Sequence, residues 1–253
     1  MTIEALSDWI ASSFLLSFRV TPVFLLAPPL TLMRIPRLFL MLMGIGFSAL
    51  MATAFPEYAA VTSLDRASLI IGAFRELMLG MIPVVVLHFM FGALYQVGRT
   101  IDVQSGYGLA MLIDPNSRGQ TPLIGTIFAY LAGLTFFLLD GHHGLLQFFV
   151  ASLETVPVGG ANDFASLGQL SSYALSVSLM ALGIGGAAIL ALFLADIVIA
   201  MLSRTIPQMN ALLLGIQVKA ILLFLVVPIS IGASAALLVQ MVSTTMRAML
   251  RLM

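Results

Sequence analysis

The chain has 253 residues, 60% of them hydrophobic and 9% charged, with 11 basic against 11 acidic side chains. Soluble domains carry about 25% charged residues, so this composition excludes a domain that dissolves alone and points to a polytopic membrane protein. Zero net charge offers nothing to nucleic acid, and the absence of cysteine excludes disulfides and thiolate metal sites.

The N-terminal stretch MTIEALSDWIASSFLLSFRV places Glu4 and Asp8 ahead of its first base, Arg19. A cleaved signal opens on a basic region instead, so a retained first membrane segment is expected. About 20 apolar residues span a bilayer. Apolar runs on this scale predict helical segments at 9–30, 38–55, 69–97, 123–139, 174–201 and 212–241. Several are interrupted. The first holds Arg19 and Pro22, the third Arg75, Glu76 and Pro83, and the fifth Asp196. A charge at the centre of a lone membrane helix costs about 2.5–3.5 kcal/mol. Arg75, Glu76 and Asp196 are therefore expected to face protein or a wet cavity. Breaks are expected at Pro83 and Pro228, with neighbouring protein or water satisfying the freed carbonyls.

Loop charges conflict with simple alternation. Arg34 and Arg37, then Arg99 and Arg118, then Arg204 fall on alternate loops and mark the cytoplasmic side. The opposite loops hold Glu57, Asp65 and Arg66, then Asp140, Glu154 and Asp163. Six crossings would leave Arg247 and Arg251 on that outer side. One apolar segment is therefore expected not to cross as a simple span.

Groups able to carry chemistry are few. LDGHHGLL offers Asp140, His142 and His143. Adjacent helical histidines point about 100° apart, and no second cluster completes a metal shell. A turn with Asp140 capping the next helix is the favoured reading. His88 reads as a hydrogen-bonded packing residue. A serine-protease reading would rest on Ser105 and the histidine pair, but Val103 stands where the G-x-S-x-G elbow needs glycine. GYG lacks a third glycine at phosphate-loop spacing. Neither an enzyme nor a cofactor is expected. The 16 methionines read chiefly as apolar filling. Ala187, Ala191 and Ala195 permit close helix packing, within this chain or on another subunit. Arg204, ahead of Pro207, and Lys219 in an apolar run want acidic or carbonyl partners. Asp196 is the nearby acid, and other chains are expected to supply the remainder, so Asp196, Arg204, Pro207 and Lys219 mark an expected subunit interface.

Four stretches, GRTIDVQSGYGLAMLIDP, LDGHHGLL, ETVPVGG and SRTIPQMNALLLGIQVKA, follow one another across residues 98–220. Together they resemble the FliR family of flagellar type III export-gate membrane proteins, to which the injectisome SctT proteins are a sister group. Asp140 stands where Asn before Gly-His is common in that pattern. The resemblance implies an all-α membrane protein whose apolar helical segments, about six and several of them broken, pack with partner subunits in a tilted helical assembly. It implies one domain over 1–253, with a FliP-like part at 1–173 and a FliQ-like helical hairpin at 174–253. The implied role is to help form the conduit for unfolded flagellar proteins in the bacterial inner membrane, at the flagellar basal body. Implied partners are FliP and FliQ in a hetero-oligomeric core, FlhB and FlhA, the exported proteins and membrane lipid.

The resemblance also implies that the segment at about 105–121 is a channel plug, formed by Gly106, Tyr107, Gly108, Leu109, Met111, Leu112, Ile113, Asp114 and Pro115. The residues suit that role. Gly106 and Gly108 permit bends, Asp114-Pro115 favours a turn, and Leu109, Met111, Leu112 and Ile113 make an apolar tip. A plain connector gains nothing from four exposed apolar residues. Two other readings stand beside this one. One is an injectisome homologue; the other is a small-solute secondary transporter with Arg75, Glu76, Asp102 and Asp196 as a polar relay.

Overall fold

Backbone polar groups in an apolar surrounding are satisfied within helices or closed barrels. A computed structural model describes residues 3–59, 66–107, 122–160, 167–206, 208 and 210–253, and every regular element among them is a helix. These are α1 (Ile3–Leu26), α2 (Pro28–Thr31), α3 (Arg37–Ala54), α4 (Pro56–Ala59), α5 (Arg66–Ser105), α6 (Leu123–Leu138), α7 (Gly141–Thr155), α8 (Leu167–Thr205), α9 (Ala211–Ala233) and α10 (Ala235–Arg251). Five of them, α1, α3, α5, α8 and α9, are long and apolar enough to cross a membrane. The α6–α7 pair, bent by 66°, makes a sixth if it counts as one span. The all-α membrane class expected from the sequence is the one observed.

Boundaries differ from expectation in physically readable ways. Helix α5 has 40 residues and α8 has 39. At 1.5 Å per residue each reaches about 60 Å, roughly twice the hydrocarbon thickness of a bilayer. The expected breaks at Pro83 and Pro228 do not occur, for both prolines lie inside continuous helices. The run expected over 212–241 is two helices, parted at Ser234. Helix α10 buries Thr245, Ala248 and Met249 and exposes Arg247 and Arg251, the pattern of an amphipathic helix rather than a span. Helix α7 is too mixed in polarity to register as an apolar run, but it begins just after Asp140, where a helix was expected.

The chain divides into two compact units, one of residues 1–89, 136–174 and 243–253, the other of 90–135 and 175–242. The first is built around a buried ion pair. Arg19, with 0% of its surface exposed, sits among Leu15, Leu16 and Val20 in α1. Its Nε donates to Glu76 Oε2 at 2.6 Å and its Nη2 to Oε1 at 3.0 Å. Two further guanidinium N–H groups reach Ser152 Oγ at 3.1 Å and the Val156 carbonyl at 3.0 Å. Glu76 Oε1 in turn accepts the Gly159 N–H at 2.8 Å, and neighbouring Arg75 donates to the Gly159 carbonyl at 3.2 Å. The ETVPVGG stretch is thus the loop that closes the shell of this pair. Gly159 adopts φ +75°, which glycine takes without a Cβ penalty. Gly80 lets α5 lie directly on the Arg19 backbone, where a Cβ would overlap the carbonyl.

Losing one partner of such a pair leaves an uncompensated buried charge, at a cost of about 3–5 kcal/mol, whereas an apolar replacement of both is often tolerated. Arg19→Met and Glu76→Leu are each expected to abolish recovery of folded chain in mild detergent. The double variant should regain a substantial part of it. Equal loss in the singles and the double, measured by detergent-solubilised yield and thermal unfolding, would contradict this account.

Candidate functional site

In the second unit, polar chemistry gathers where α5 ends and α6 begins, the two ends of the polar segment singled out from sequence. Helix α5 stops at Ser105, whose hydroxyl is buried and donates to the Asp102 carbonyl at 2.9 Å. Gly106 follows at φ +90°, a conformation that favours glycine, and its N–H reaches the Val103 carbonyl at 3.2 Å. Helix α6 starts after Pro122, which has no side-chain acceptor to cap the first helical amides. Asp102 caps them from the preceding helix. Its carboxylate, in a residue 1% exposed, accepts the Ile124 N–H at 3.0 Å and the Gly125 N–H at 3.3 Å.

The helices beside this cap touch backbone to backbone. A Cβ on Gly98 would lie 2.5 Å from Gly125 Cα, and one on Gly125 would lie 3.0 Å from the Tyr95 carbonyl oxygen. Lys219 of α9 completes the site. Its ammonium donates to the Gln104 carbonyl at 2.9 Å and pairs with Asp196 of α8. The Lys219 side chain is 16% exposed and that of Asp196 46%. The buried Gln104 Oε1 has no hydrogen-bond partner among the described residues.

Of the residues expected to form a plug, Gly106 and Tyr107 are at this neck. Gly108, Leu109, Met111, Leu112, Ile113, Asp114 and Pro115 lie outside the described residues, as does Pro207 of the expected interface set. Arg204 is exposed in the last turn of α8. Lys219 pairs with Asp196, the nearby acid named from sequence, and also donates to the Gln104 carbonyl. Asn210 caps α9, with its side-chain oxygen accepting the Leu213 N–H at 3.2 Å. The four residues of the transporter relay are each engaged locally. Arg75 and Glu76 bind the 156–160 loop, Asp102 binds amides, and Asp196 binds Lys219.

At the α6–α7 bend, Asp140 occupies the residue before α7 as expected but with φ +55° and no side-chain capping bond. Gly141 behind it packs closely on Phe136, where a Cβ would lie 2.5 Å from the ring. The ligand atoms of Asp140, His142 and His143 lie within 4.8 Å of one another, nearer than helical geometry alone suggested. The two imidazoles are stacked, 4.6 Å apart and 30° from parallel, so their in-plane lone pairs run alongside each other rather than converging on an ion. His88 bonds the Val84 carbonyl of its own helix through Nδ1 at 2.8 Å. Ala187 is exposed, with Ala191 and Ala195 half-buried. The packed face of α8 instead carries Ala181, Ile184, Ala188 and Leu192.

The profile of the family described as bacterial export proteins, family 1, matches residues 10–246. The chain belongs to that family. It is similar to the flagellar biosynthetic protein FliR of Bacillus subtilis, 28% identical over 188 residues, which cover 72% of this chain and 71% of that protein. FliR of Escherichia coli K12 is 27% identical over 147 residues, 56% of this chain and 55% of that one. The surface presentation of antigens protein SpaR of Shigella flexneri is 25% identical over 216 residues, 83% of this chain and 81% of its own.

Forcing side chains into a close backbone crossing costs about 1–3 kcal/mol. Gly98→Val is expected to lower the thermal stability and yield of the chain. Gly92→Ala, on the same helix but with nothing within 4 Å of the new Cβ, should leave both unchanged or slightly raised. A Gly98→Val chain as stable as the Gly92→Ala control would show that the helices part without penalty.

Proposed function

We propose that this chain is the FliR-type subunit of a flagellar type III protein-export gate. Its membership of a bacterial export family along nearly its whole length carries the reading. The flagellar assignment is favoured over an injectisome one by the higher identity to FliR, 28% against 25% for SpaR. In this reading the chain is a structural component that makes and breaks no covalent bonds. It joins FliP and FliQ in a core complex, docks against FlhB and FlhA, and lies in the bacterial inner membrane at the flagellar basal body. Residues 1–173 form the FliP-like part and 174–253 the FliQ-like hairpin of one domain. The extensive exposed apolar surface, including Leu38 at 69%, Phe74 at 62% and Phe224 at 69%, supports a chain that finishes its burial on lipid and unlike subunits. Local engagement of Arg75, Glu76, Asp102 and Asp196 speaks against the transporter relay.

Within this reading the segment at about 105–121 is the plug that closes the conduit. Its support is physical. The described residues on either side of it, Asp102 and Ile124, are joined by hydrogen bonds, and its sequence carries the apolar Leu109, Met111, Leu112 and Ile113.

Co-expression with FliP and FliQ is expected to give a single stoichiometric complex by native mass spectrometry. A monodisperse chain that ignores both partners would sink the assignment. Replacing Leu109, Met111, Leu112 and Ile113 with serine should preserve that complex while cells making the whole gate leak ions or small dyes. Ser117→Ala should not leak. A serine-tipped complex that assembles and stays tight would return the segment to the role of connector.

A further inference from the structure

The run from Leu77 to Leu94 in α5 carries one polar side chain, that of His88. It lies in a helix long and apolar enough to cross a membrane, and the residue is exposed. About 9 Å of helix separates it from the nearer end of the run. That is too far for an imidazole to reach headgroups as lysine or arginine does. Its Nδ1 is 2.8 Å from the Val84 carbonyl oxygen. A carbonyl oxygen only accepts, so Nδ1 carries the hydrogen and the neutral ring keeps a lone pair on Nε2. Among the described residues none donates to that atom. The other side of the helix is closed, with Val86, Leu87 and Met90 wholly buried. The open side borders a groove of about 440 Å³ lined by Leu26, Met81, Val84, Val85 and Phe89, with His88 in its wall.

We infer that this side of α5 docks a helix of an unlike membrane subunit, which brings a neutral hydrogen-bond donor to His88 Nε2 and an apolar side chain into the groove. The inference rests on the export-gate reading for its partner and adds the chemistry by which that partner is held. Hydrocarbon offers no donor, and an acceptor left unmatched within it carries a penalty that a donor removes. The backbone amides of an arriving helix are engaged in its own hydrogen bonds. The donor is therefore a side chain, that of serine, threonine, asparagine or glutamine. A lipid chain would fill the groove and leave Nε2 unmatched. One polar contact in an otherwise apolar interface also fixes register, because sliding the helix by a turn strands both groups.

Solid-state NMR of isotope-labelled histidine reads the contact directly, with the full chain observed alone in zwitterionic phospholipid vesicles and again in complex with FliP and FliQ. His88→Gln identifies the His88 signals among those of the three histidines. Nδ1 should be the protonated nitrogen in both states, and the Nε2 signal should shift in the complex alone, as that atom accepts a hydrogen bond. A protonated Nε2 or an unshifted signal in the complex overturns the inference. So does the same shift in vesicles without partners, which would make lipid or water the donor. Variants give a second readout. Phenylalanine keeps a ring and removes the acceptor, whereas glutamine sets its amide oxygen near the Nε2 position. His88→Phe is expected to leave the detergent-solubilised yield of the isolated chain unchanged. It should raise about fivefold the partner concentration needed for half assembly, as loss of one interhelical hydrogen bond in a membrane implies. His88→Gln should assemble as the wild type does. A phenylalanine variant that assembles equally well overturns the inference, and if that variant does not fold, the wild-type spectra decide. A wild-type chain that ignores FliP and FliQ fails the export-gate reading and takes the inference with it, whereas one that assembles with Nε2 unshifted overturns the inference alone.

Discussion

A guanidinium with no exposed surface, held inside a strongly apolar chain, dictates what has to surround it. Each donor needs an acceptor, because a buried unpaired charge costs more than most single packing contacts contribute. Arg19 collects its acceptors from α5, from α7 and from the loop beyond α7, elements more than 50 residues away in sequence. Those partners settle the geometry of the first unit. Glu76 has to present both oxygens, Gly80 has to omit a side chain, and Gly159 has to turn its amide inward. Tyr173 and Thr245 add a second buried polar contact, with the phenolic oxygen 2.9 Å from the Val86 carbonyl and 3.0 Å from the Thr245 hydroxyl.

The second unit meets the same constraint with a different outcome. Asp102 sits one turn from a helix end, and backbone groups rather than an opposite charge satisfy it. The Ser230 hydroxyl, donating to the Ile184 carbonyl at 2.6 Å, joins α9 to α8 by the same economy of partners. The Arg19 site binds the backbone of residues 156–159, and the Asp102 site joins the end of α5 to the start of α6.

Long helices with apolar outer faces also bear on the topological conflict in the loop charges. Helices of about 60 Å overrun a bilayer, and a bent pair such as α6–α7 need not deliver its ends to opposite sides. Alternation of loops is a rule for straight spans in lipid. It loses force where apolar surface is covered by protein.

Composition and apolar run length were enough to establish an all-helical membrane chain and the approximate place of most of its helices, since both follow from local hydropathy. The four motif stretches carried the family. Their individual roles were legible only in part. Gly106 as a bend was readable, because φ freedom is a property of the residue. The pairing of Arg19 with Glu76, the capping of α6 by Asp102 and the Gln104 carbonyl as a partner of Lys219 were not, because each joins residues far apart in sequence. Two opposite charges stranded in separate apolar runs were the available signal for the first, but nothing local says which acid answers which base. The close crossing at Gly98 and Gly125, the close packing of Gly141 on Phe136 and the unbroken course of helices through Pro83 and Pro228 likewise depend on neighbours. Sequence by itself determined what kind of surface each segment presents. Only the tertiary structure decided which buried polar groups meet, because desolvated charge is satisfied by whatever the fold brings within hydrogen-bond reach.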